Sequence, residues 1–381
     1  MELCSGIPLR TIFLSNSNWI CFIALYFWRI RPAVFINVAK MLRCKTTLGF
    51  IKYICPLGHS FRKVYLTCKS RFCSSCGKVA TDNWIQKLQE TLPDIPYQHI
   101  VFTVPADLWN IIQANRTPAL NLLFQCAKET LLEYCKSRGL IPGVMNVCHT
   151  FGRDLKFNPH IHMLVSSGGL TLNHSQWKEI NYFHHEIIKK LWRAKVLAAV
   201  RECIKSGAFK KYPAHIHDLL QKIYSSYKNW YVHIGKKLKS AKKAAKYIGR
   251  YTKRPPIATT RISRFIDNQV TFWFQDHHTK QRITWTLPAL EFIARLVPHI
   301  HDRHFRQIRY SGFLATRVRT PLIAIIRSLL DQPAPNRIHS PTWRDRITHF
   351  LGHDPLICSC GLPMVRSTAY YLPKEQLLVP I

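Results

Sequence analysis

One strand-forming segment restricts the fold and the chemistry of this chain more than any other. It reads KFNPHIHMLVSSGGL over residues 156–170 and places His160 and His162 two positions apart in an apolar run. Side chains two apart on a strand point to the same face, so both imidazoles face one side while Ile161 and Met163 face the other. Two imidazoles on one face of a strand supply half of a metal site. The segment therefore predicts a buried strand with metal ligands on one face.

The His-Ile-His triplet occurs twice more, at 215–217 and 299–301, in less favourable surroundings. The triplet at 215–217 lies at an apparent helix start, where side chains two apart diverge. The triplet at 299–301 follows Pro298 in a basic loop. A histidine pair on its own is more often structural or solvated than metal-binding, so only the first triplet is interpreted as chemical.

A third candidate ligand lies on the strand before the histidine segment. The stretch VMNVCHTFG is predicted as a strand, and RDLKFNP joins it to HIHMLVSS through an Asn-Pro pair that favours a turn. His149 would then face His160 or His162 across the pair of strands. Satisfied polar packing of His149 is an equally open interpretation.

The charge balance points to a polyanionic partner. The 381 residues include 55 Lys and Arg but only 20 Asp and Glu, a formal net charge of +35. Nucleic acid is therefore the first candidate partner and an anionic membrane surface the second, and charge alone leaves DNA and RNA open. The apolar run at 19–28 is too short to span a bilayer and its leader is a poor signal peptide, so no membrane partner is expected.

Two tyrosines follow on a lysine-rich segment. KKLKSAKKAAKYIGRY, residues 236–251, is rich in Ala and Lys and predicts a helix, which the prolines of KRPPIA would end. Tyr247 and Tyr251 are four positions apart and share one face of that helix. A tyrosine hydroxyl can attack a phosphodiester to form a phosphotyrosine when a metal polarises the phosphate. Amphipathic packing is the alternative role for the pair.

Basic side chains at the end of this helix indicate where a phosphate would bind. Arg250, Lys253 and Arg254 flank Tyr251. We expect these three residues to contact the phosphate backbone of the nucleic acid, and of the two tyrosines we favour Tyr251 for the first attack on it. The expected catalytic ion is Mg²⁺ or Mn²⁺, because a hard cation suits phosphate oxygens.

Closely spaced cysteines predict a structural Zn²⁺ site near the N-terminus. Five of the 13 cysteines and one histidine lie in residues 44–76. In a large basic chain, such spacing favours thiolate ligands in a reducing, cytoplasmic compartment over disulfides. Buried free cysteines are the alternative. The expected ligands are Cys55, His59, Cys73 and Cys76, with Cys44 and Cys68 as alternates.

In combination, these segments resemble the two-tyrosine HUH transposases of the insertion sequence ninety-one family. The resemblance covers roughly residues 30 to 320. The matching segments, in chain order, are MLRCKTTLGFIKYICPLGH, TCKSRFCSSCGK, HIVFTVP, HTFGRDLKFNPHIHMLVSSGGL, YIGRYTKRPPIATTRI and HFRQIRYSGFLATRVR.

The resemblance implies an α+β fold, in which helices flank a central antiparallel sheet of the HUH endonuclease type and a small zinc-binding domain precedes it. It assigns His160 and His162 to a divalent ion, and Tyr247 and Tyr251 to the nucleophiles. One tyrosine would cut single-stranded DNA at the ends of the element or its target and leave a 5′-phosphotyrosine. The second would serve the next cleavage of a rolling-circle transposition. Such a protein is expected to act at the nucleoid in the cytoplasm.

The resemblance also suggests how the chain is divided. We expect residues 1–90 to form an N-terminal helix and the zinc-binding domain, 91–320 the catalytic domain, and 321–381 a tail. The tail holds Cys358 and Cys360 two positions apart, where the family usually has Cys-x-x-Cys, so this pair is expected to be degenerate.

Two alternative functions follow from the same residues. A replication initiator or relaxase would share the cleavage chemistry, but the zinc cluster and the segment RYSGFLATR argue against it. An inactive zinc-dependent DNA-binding protein would not need both histidines and both tyrosines, which are intact.

Overall fold

The computed structural model describes residues 6–226, 230–252, 255–276, 279–334 and 341–371. The helices are α1 (Leu9–Leu14), α2 (Asn18–Tyr26), α3 (Pro32–Leu42), α4 (Ser74–Thr91), α5 (Trp109–Ala114), α6 (Arg116–Lys136), α7 (His185–Lys205), α8 (Ile216–Ser225), α9 (Ala241–Gly249), α10 (Ala289–Leu296), α11 (Arg319–Leu329) and α12 (Trp343–Leu351). The strands are β1 (Gly49–Ile54), β2 (Phe61–Tyr65), β3 (Tyr97–Thr103), β4 (Leu140–Phe151), β5 (Phe157–Thr171), β6 (Trp177–Glu179), β7 (Val232–Leu238), β8 (Ile262–Ile266), β9 (Gln269–Gln275), β10 (Arg282–Pro288), β11 (Ile308–Gly312) and β12 (Val365–Tyr371).

A six-stranded sheet forms the centre of the fold. Its strand order is β11-β4-β5-β3-β7, and β6 pairs with β5 beside this path. Every pairing is antiparallel. Helices cover both faces of the sheet, and the predicted α+β fold class is confirmed.

The two faces of the central sheet bury different sets of side chains. Ile161 and Met163 of β5 point into a core shared with α6 and α7. Val147 of β4 and Leu164 of β5 point to the opposite face, where they join a core with α9 and α11. Because successive residues of a strand alternate between faces, the two histidines of β5 lie on the α9 side.

The N-terminal helices pack against a second sheet. Strands β8, β9 and β10 form this sheet, and its Phe272 shares a core with Phe13 of α1 and Phe292 of α10. The side chains of Asn18 and Asn268 exchange hydrogen bonds of 2.7 and 3.0 Å across this contact. Within the described residues, no helix is long and apolar enough to cross a membrane.

A third sheet joins the last described strand to the hairpin formed by β1 and β2. Strand β12 pairs antiparallel with β1, from Gly49 opposite Tyr371 to Ile54 opposite Val365. Strand β2 completes the order β12-β1-β2. Part of the segment 321–381 therefore folds onto the cysteine-rich N-terminal region.

Helix α9 is shorter than the sequence indicates. The predicted helix over 236–251 is wrong at its start, because β7 continues to Leu238 and pairs with β3. Sheet pairing overrides the helix propensity of the lysines there. The side chain of Ser240 caps the helix by accepting from the Lys243 amide, and Asp94 accepts from the amide of Ala241 at 2.9 Å. Ser240 and Asp94 thus satisfy two amides that the first turn leaves without partners.

Close contact with α4 fixes the other end of α9. A Cβ atom added at Gly249 would lie 2.3 Å from Cδ1 of Ile85, so the Ile85 side chain would have to move to admit any larger residue. One turn away, the buried hydroxyl of Thr81 lies 2.9 Å from the carbonyl oxygen of Gly77 and 3.0 Å from that of Thr252, so its one hydrogen is shared between the two. Helix α4 therefore sets the position of the residues that end α9.

Replacement of Gly249 by valine should weaken this contact. We expect Gly249→Val to reduce the free energy of unfolding by about 1–3 kcal/mol, the usual cost of forcing extra atoms into a packed contact. The control is Lys246→Val, which places the same residue on the exposed side of the same helix. Thermal unfolding followed by circular dichroism measures both, and equal Tm values for the two variants would contradict the packing argument.

Candidate active site and metal centres

Three histidines meet on the α9 side of the central sheet. His160 and His162 lie on β5, and the strand register places His149 of β4 directly opposite His160. One nitrogen of each imidazole lies within 4.8 Å of the others. The Nε2 atoms of His160 and His162 are 3.0 Å apart. The period-two geometry of adjacent antiparallel strands is what brings the three rings together.

Backbone carbonyls orient two of these rings. The carbonyl oxygen of Asn158 lies 2.7 Å from Nδ1 of His160, and that of Tyr251 lies 2.6 Å from Nε2 of His149. A carbonyl only accepts, so each of these ring nitrogens carries the proton and donates it. The opposite nitrogen of each ring is left with its lone pair. Metal-binding histidines in proteins usually have this arrangement.

Burial keeps the histidine cluster uncharged. Desolvation lowers the pKa of His160 to about 4, and desolvation together with the neighbouring His160 lowers the pKa of His149 to about 3. The pKa of His162 lies well below its usual value for the same reason, with further contributions from His149 and His160. Neutral imidazole is the form that binds metals, so the cluster can act as a ligand set at neutral pH.

The donor set indicates which ion fits. The group consists of three imidazoles and contains no carboxylate among the described residues. Imidazole suits Zn²⁺, Cu²⁺, Fe²⁺ and Ni²⁺, whereas Mg²⁺ and Mn²⁺ are both usually bound by oxygen ligands. Both ions expected from the sequence therefore need oxygen ligands in addition to these three imidazoles, such as the oxygens of a phosphate.

Both tyrosines of α9 lie against the histidine cluster. The ring of Tyr251 stacks on that of His162, with centroids 3.8 Å apart and planes inclined by 21°. The hydroxyl of Tyr251 donates to that of Tyr247 at 3.4 Å. Both side chains are half-buried. The structure thus brings the predicted nucleophiles and the predicted metal ligands into one site.

A fourth histidine, His99 of β3, belongs to the site and was not identified from the sequence. Its Nε2 lies 3.0 Å from Nδ1 of His162, and its Nδ1 lies 3.3 Å from the hydroxyl of Tyr247. Desolvation, with His233 and His160 nearby, lowers the pKa of His99 to about 4. His99 therefore connects a predicted metal ligand to a predicted nucleophile. The sequence signal was its position at the start of HIVFTV, on the same face as Val101, which pairs with His162.

The other His-Ile-His triplets lie outside this cluster. His217 is exposed on α8, which begins at Ile216. His299 is buried rather than in an open loop, and its ring bonds the hydroxyl of Thr150 and the carbonyl of Leu155 at 3.1 and 3.0 Å. Both ring nitrogens of His299 are occupied, which is the structural role expected of it.

Positive charge lies beside the tyrosines. The guanidinium of Arg250 lies 5.2 Å from the centre of the Tyr247 ring and is exposed. Burial raises the pKa of Tyr251, while Arg250 and Arg153 act in the opposite direction. Lys253 and Arg254, the other expected DNA contacts, lie outside the described residues.

The cysteines form two groups where the sequence suggested one. Cys44, Cys68, Cys73 and Cys76 have sulfur atoms within 4.8 Å of one another. Cys55 and His59 lie instead with Cys358 and Cys360. The expected combination of Cys55 and His59 with Cys73 and Cys76 is therefore not the one that the fold assembles.

The four-cysteine group has the dimensions of a zinc site. Cys76 lies 3.6 Å from Cys44 and 3.6 Å from Cys68, sulfur to sulfur. Tetrahedral Zn²⁺ with Zn–S bonds of about 2.3 Å places sulfurs about 3.8 Å apart. Cys73 is the residue before α4, and Cys76 lies in its first turn. This group therefore sits at the start of the helix that packs against α9.

Known proteins resemble this chain both in the region of the histidine–tyrosine site and in the region of the four-cysteine group. A family model described as "Putative transposase" matches residues 143–321, and one described as "Transposase zinc-binding domain" matches residues 17–104. The chain is 34% identical over 376 residues to the transposase for insertion sequence element IS801 of Pseudomonas savastanoi pv. phaseolicola, covering 95% of this chain and 90% of the relative. It is 28% identical over 342 residues to "Putative transposase y4qJ" of Sinorhizobium fredii, covering 83% of each. No solved structure matches significantly.

The three clustered histidines and both tyrosines lie within residues 143–321, which the transposase model matches. The four-cysteine group lies within residues 17–104, which the zinc-binding model matches. The similarity to the IS801 transposase extends over nearly the whole of both chains. This chain belongs to the transposases of the insertion sequence ninety-one family and carries their N-terminal zinc-binding domain.

Proposed function

We propose that this transposase cuts and joins single-stranded DNA through a 5′-phosphotyrosine, in a rolling-circle transposition that needs no nucleotide cofactor. The observation that carries the proposal is the stacking of Tyr251 on His162, which puts a nucleophile beside three neutral imidazoles. A duplicate tyrosine lies within hydrogen-bond distance of the first. Two such nucleophiles suit a reaction with two successive strand cleavages.

The chemistry is a balanced exchange of esters. The hydroxyl oxygen of Tyr251 bonds to phosphorus, the bond from phosphorus to the 3′-oxygen breaks, and the 3′-oxygen takes up a proton. The phosphotyrosine keeps the energy of the broken bond, so a later 3′-hydroxyl can reverse the step at Tyr247 or Tyr251 and seal a new strand. Attack by the 3′-hydroxyl of the original strand rejoins that strand. Attack by the 3′-hydroxyl of another strand transfers the linked DNA to it.

The residues of the site would divide the work among them. His149, His160 and His162 would hold Mn²⁺ or Mg²⁺, which when bound polarises the phosphate oxygens for attack. The exposed side chain of Arg250, at the end of α9, would bind a phosphate of the DNA. Lys253 and Arg254 are given the same role on the basis of the sequence alone. His99 would act as a positioning residue, because it bonds the Tyr247 hydroxyl on one side and His162 on the other.

Single-stranded DNA is the substrate that the site favours. The tyrosines are half-buried between α9 and the central sheet, so the scissile phosphate must enter a recess. An unpaired strand can bend into such a recess more easily than a duplex. The net charge of +35 supplies strong, salt-dependent attraction to the backbone of either form.

We propose structural Zn²⁺ at the four-cysteine group rather than at the combination expected from the sequence. Four sulfurs within 4.8 Å of one another suit Zn²⁺, and their position at the start of α4 allows the ion to fix that helix. Helix α4 in turn contacts the end of α9 through the hydrogen bond from Thr81 to the carbonyl of Thr252.

The tyrosine prediction uses substitutions that remove only a hydroxyl. With labelled single-stranded oligonucleotides from the ends of the element and Mn²⁺, the unmodified protein should form a covalent adduct that survives denaturing electrophoresis. Tyr247→Phe and Tyr251→Phe should each fail at complete transposition, and the double variant should form no adduct. Tyr212→Phe, at an exposed tyrosine, is the control. Mass spectrometry locates the linked residue, and an adduct in the double variant would overturn the mechanism.

The histidine prediction separates catalysis from binding. His160→Ala should lower the cleavage rate by about 100-fold or more, because a metal ligand is lost, while affinity for the oligonucleotide stays nearly unchanged. His217→Ala, at an exposed histidine of the second triplet, should leave both quantities unaltered. The test compares single-turnover cleavage with fluorescence anisotropy. Normal cleavage by His160→Ala would remove the metal role, and normal cleavage by His149→Ala would remove only the third ligand.

The zinc prediction concerns Cys68, a half-buried member of the four-cysteine group. Cys68→Ser should lose one Zn²⁺ per chain and melt at a lower temperature, because the metal site contributes directly to folding. Cys21→Ser, at an exposed cysteine, should match the unmodified protein in both respects. Emission spectroscopy gives the metal content. An unchanged zinc content in Cys68→Ser would show that the ion is bound elsewhere.

A further inference from the structure

Two tight loops meet at one end of the sheet formed by β12, β1 and β2. The first loop connects β1 to β2, and the amide of Cys55 donates to the carbonyl of Ser60 at 2.9 Å. The second loop precedes β12, and the amide of Cys358 donates to the carbonyl of Leu362 at 2.9 Å. Each loop therefore closes on itself around a cysteine.

Both loops turn at a glycine with positive φ. Gly58 has φ of +74° and Gly361 has φ of +85°, and the amide of each donates to the carbonyl of the cysteine three residues earlier. Other residues rarely adopt this conformation. The two loops thus share one backbone device, although they are about 300 residues apart in the sequence.

The loops bring four ligand atoms together. Cys55, His59, Cys358 and Cys360 each place one sulfur or nitrogen within 4.8 Å of the others. The sulfurs of Cys55 and Cys360 are 3.6 Å apart, close to the separation of about 3.8 Å at tetrahedral Zn²⁺. Cys55 and Cys358 are buried. The hydroxyl oxygen of Ser60 lies 3.3 Å from the sulfur of Cys358.

We propose that these four residues bind a second structural Zn²⁺ that fastens the C-terminal strand to the N-terminal hairpin. Three thiolates and one imidazole that lie within 4.8 Å of one another suit tetrahedral Zn²⁺. The match to the zinc-binding family model ends at residue 104, so two of the four ligands come from outside it. The spacing of Cys358 and Cys360, shorter than in most zinc knuckles, suggested degeneracy in the sequence, yet it still places both residues in the group.

The sheet needs such a fastening because it buries little apolar surface. No residue of the fully described strands β1, β2 and β12 is buried. Within its described residues, the ring–ring contacts of this sheet are those of Phe50 with Tyr65 and Tyr370. Small modules without a hydrophobic core commonly depend on a metal or a disulfide. The ion would also stabilise the folded state by its own binding free energy, because the unfolded chain does not hold the four ligands together.

The experiment counts zinc in the full-length protein purified under reducing conditions. The unmodified chain and Cys21→Ser should contain two Zn²⁺ per chain. The double variant Cys358→Ser with Cys360→Ser should contain one, and Cys68→Ser should also contain one because it affects the other group. Hydrogen exchange should become faster at the β12 amides of the double variant, while β5 stays protected, which shows that the central sheet remains folded.

A milder variant covers the case in which the double variant does not fold. His59 is exposed, so His59→Ala should fold and should release one of its two Zn²⁺ to a colorimetric chelator faster than the unmodified protein. A single Zn²⁺ in the unmodified chain would overturn the proposal. So would two tightly held Zn²⁺ in the double variant, or a Cys55–Cys360 disulfide in place of the metal by mass spectrometry. None of these readouts depends on DNA cleavage.

Discussion

The contact between α4 and α9 determines where the nucleophiles stand. At Gly249 the helices approach so closely that an added Cβ would lie 2.3 Å from Ile85. The bond from Thr81 to the carbonyl of Thr252 ties down the residue after Tyr251. Because α4 starts at the four-cysteine group, zinc binding on this proposal acts on the active site through a rigid helix. The N-terminal domain then contributes to catalysis by positioning α9.

The second constraint is the crowding of imidazoles in a place with little water. Four buried or half-buried histidines within contact distance cannot all carry a proton, since each charge would repel the next and lose its hydration. The fold resolves this by keeping them neutral and giving several of them hydrogen-bond partners, including the carbonyls of Asn158 and Tyr251. The Tyr251 backbone thus orients His149 while the Tyr251 ring covers His162. Metal ligands and nucleophile are positioned by the same few residues.

Local periodicity explains what could be predicted from the sequence. The alternation of a strand put His160 and His162 on one face, and the helical spacing put Tyr247 and Tyr251 together, although part of the helix proved to be strand β7. Long-range partners carried no such signal. His99 joins the site because β3 lies beside β5. The division of the cysteines into two groups depends on the pairing of β12 with β1, which no local pattern encodes.

The composition of the histidine group has a consequence for how metal and substrate would bind. Three neutral imidazoles bring no negative charge. The protein as a whole is strongly positive, and the charges of Arg250 and Arg153 lie close enough to Tyr251 to act to lower its pKa. A divalent cation would therefore enter an environment that repels it. The DNA phosphate supplies the missing negative charge and oxygen ligands at once. On the proposed mechanism, metal and single-stranded DNA should each strengthen the binding of the other, because linkage between two sites is reciprocal. The reactive combination would then form only when a strand is in place, which limits cleavage to bound substrate.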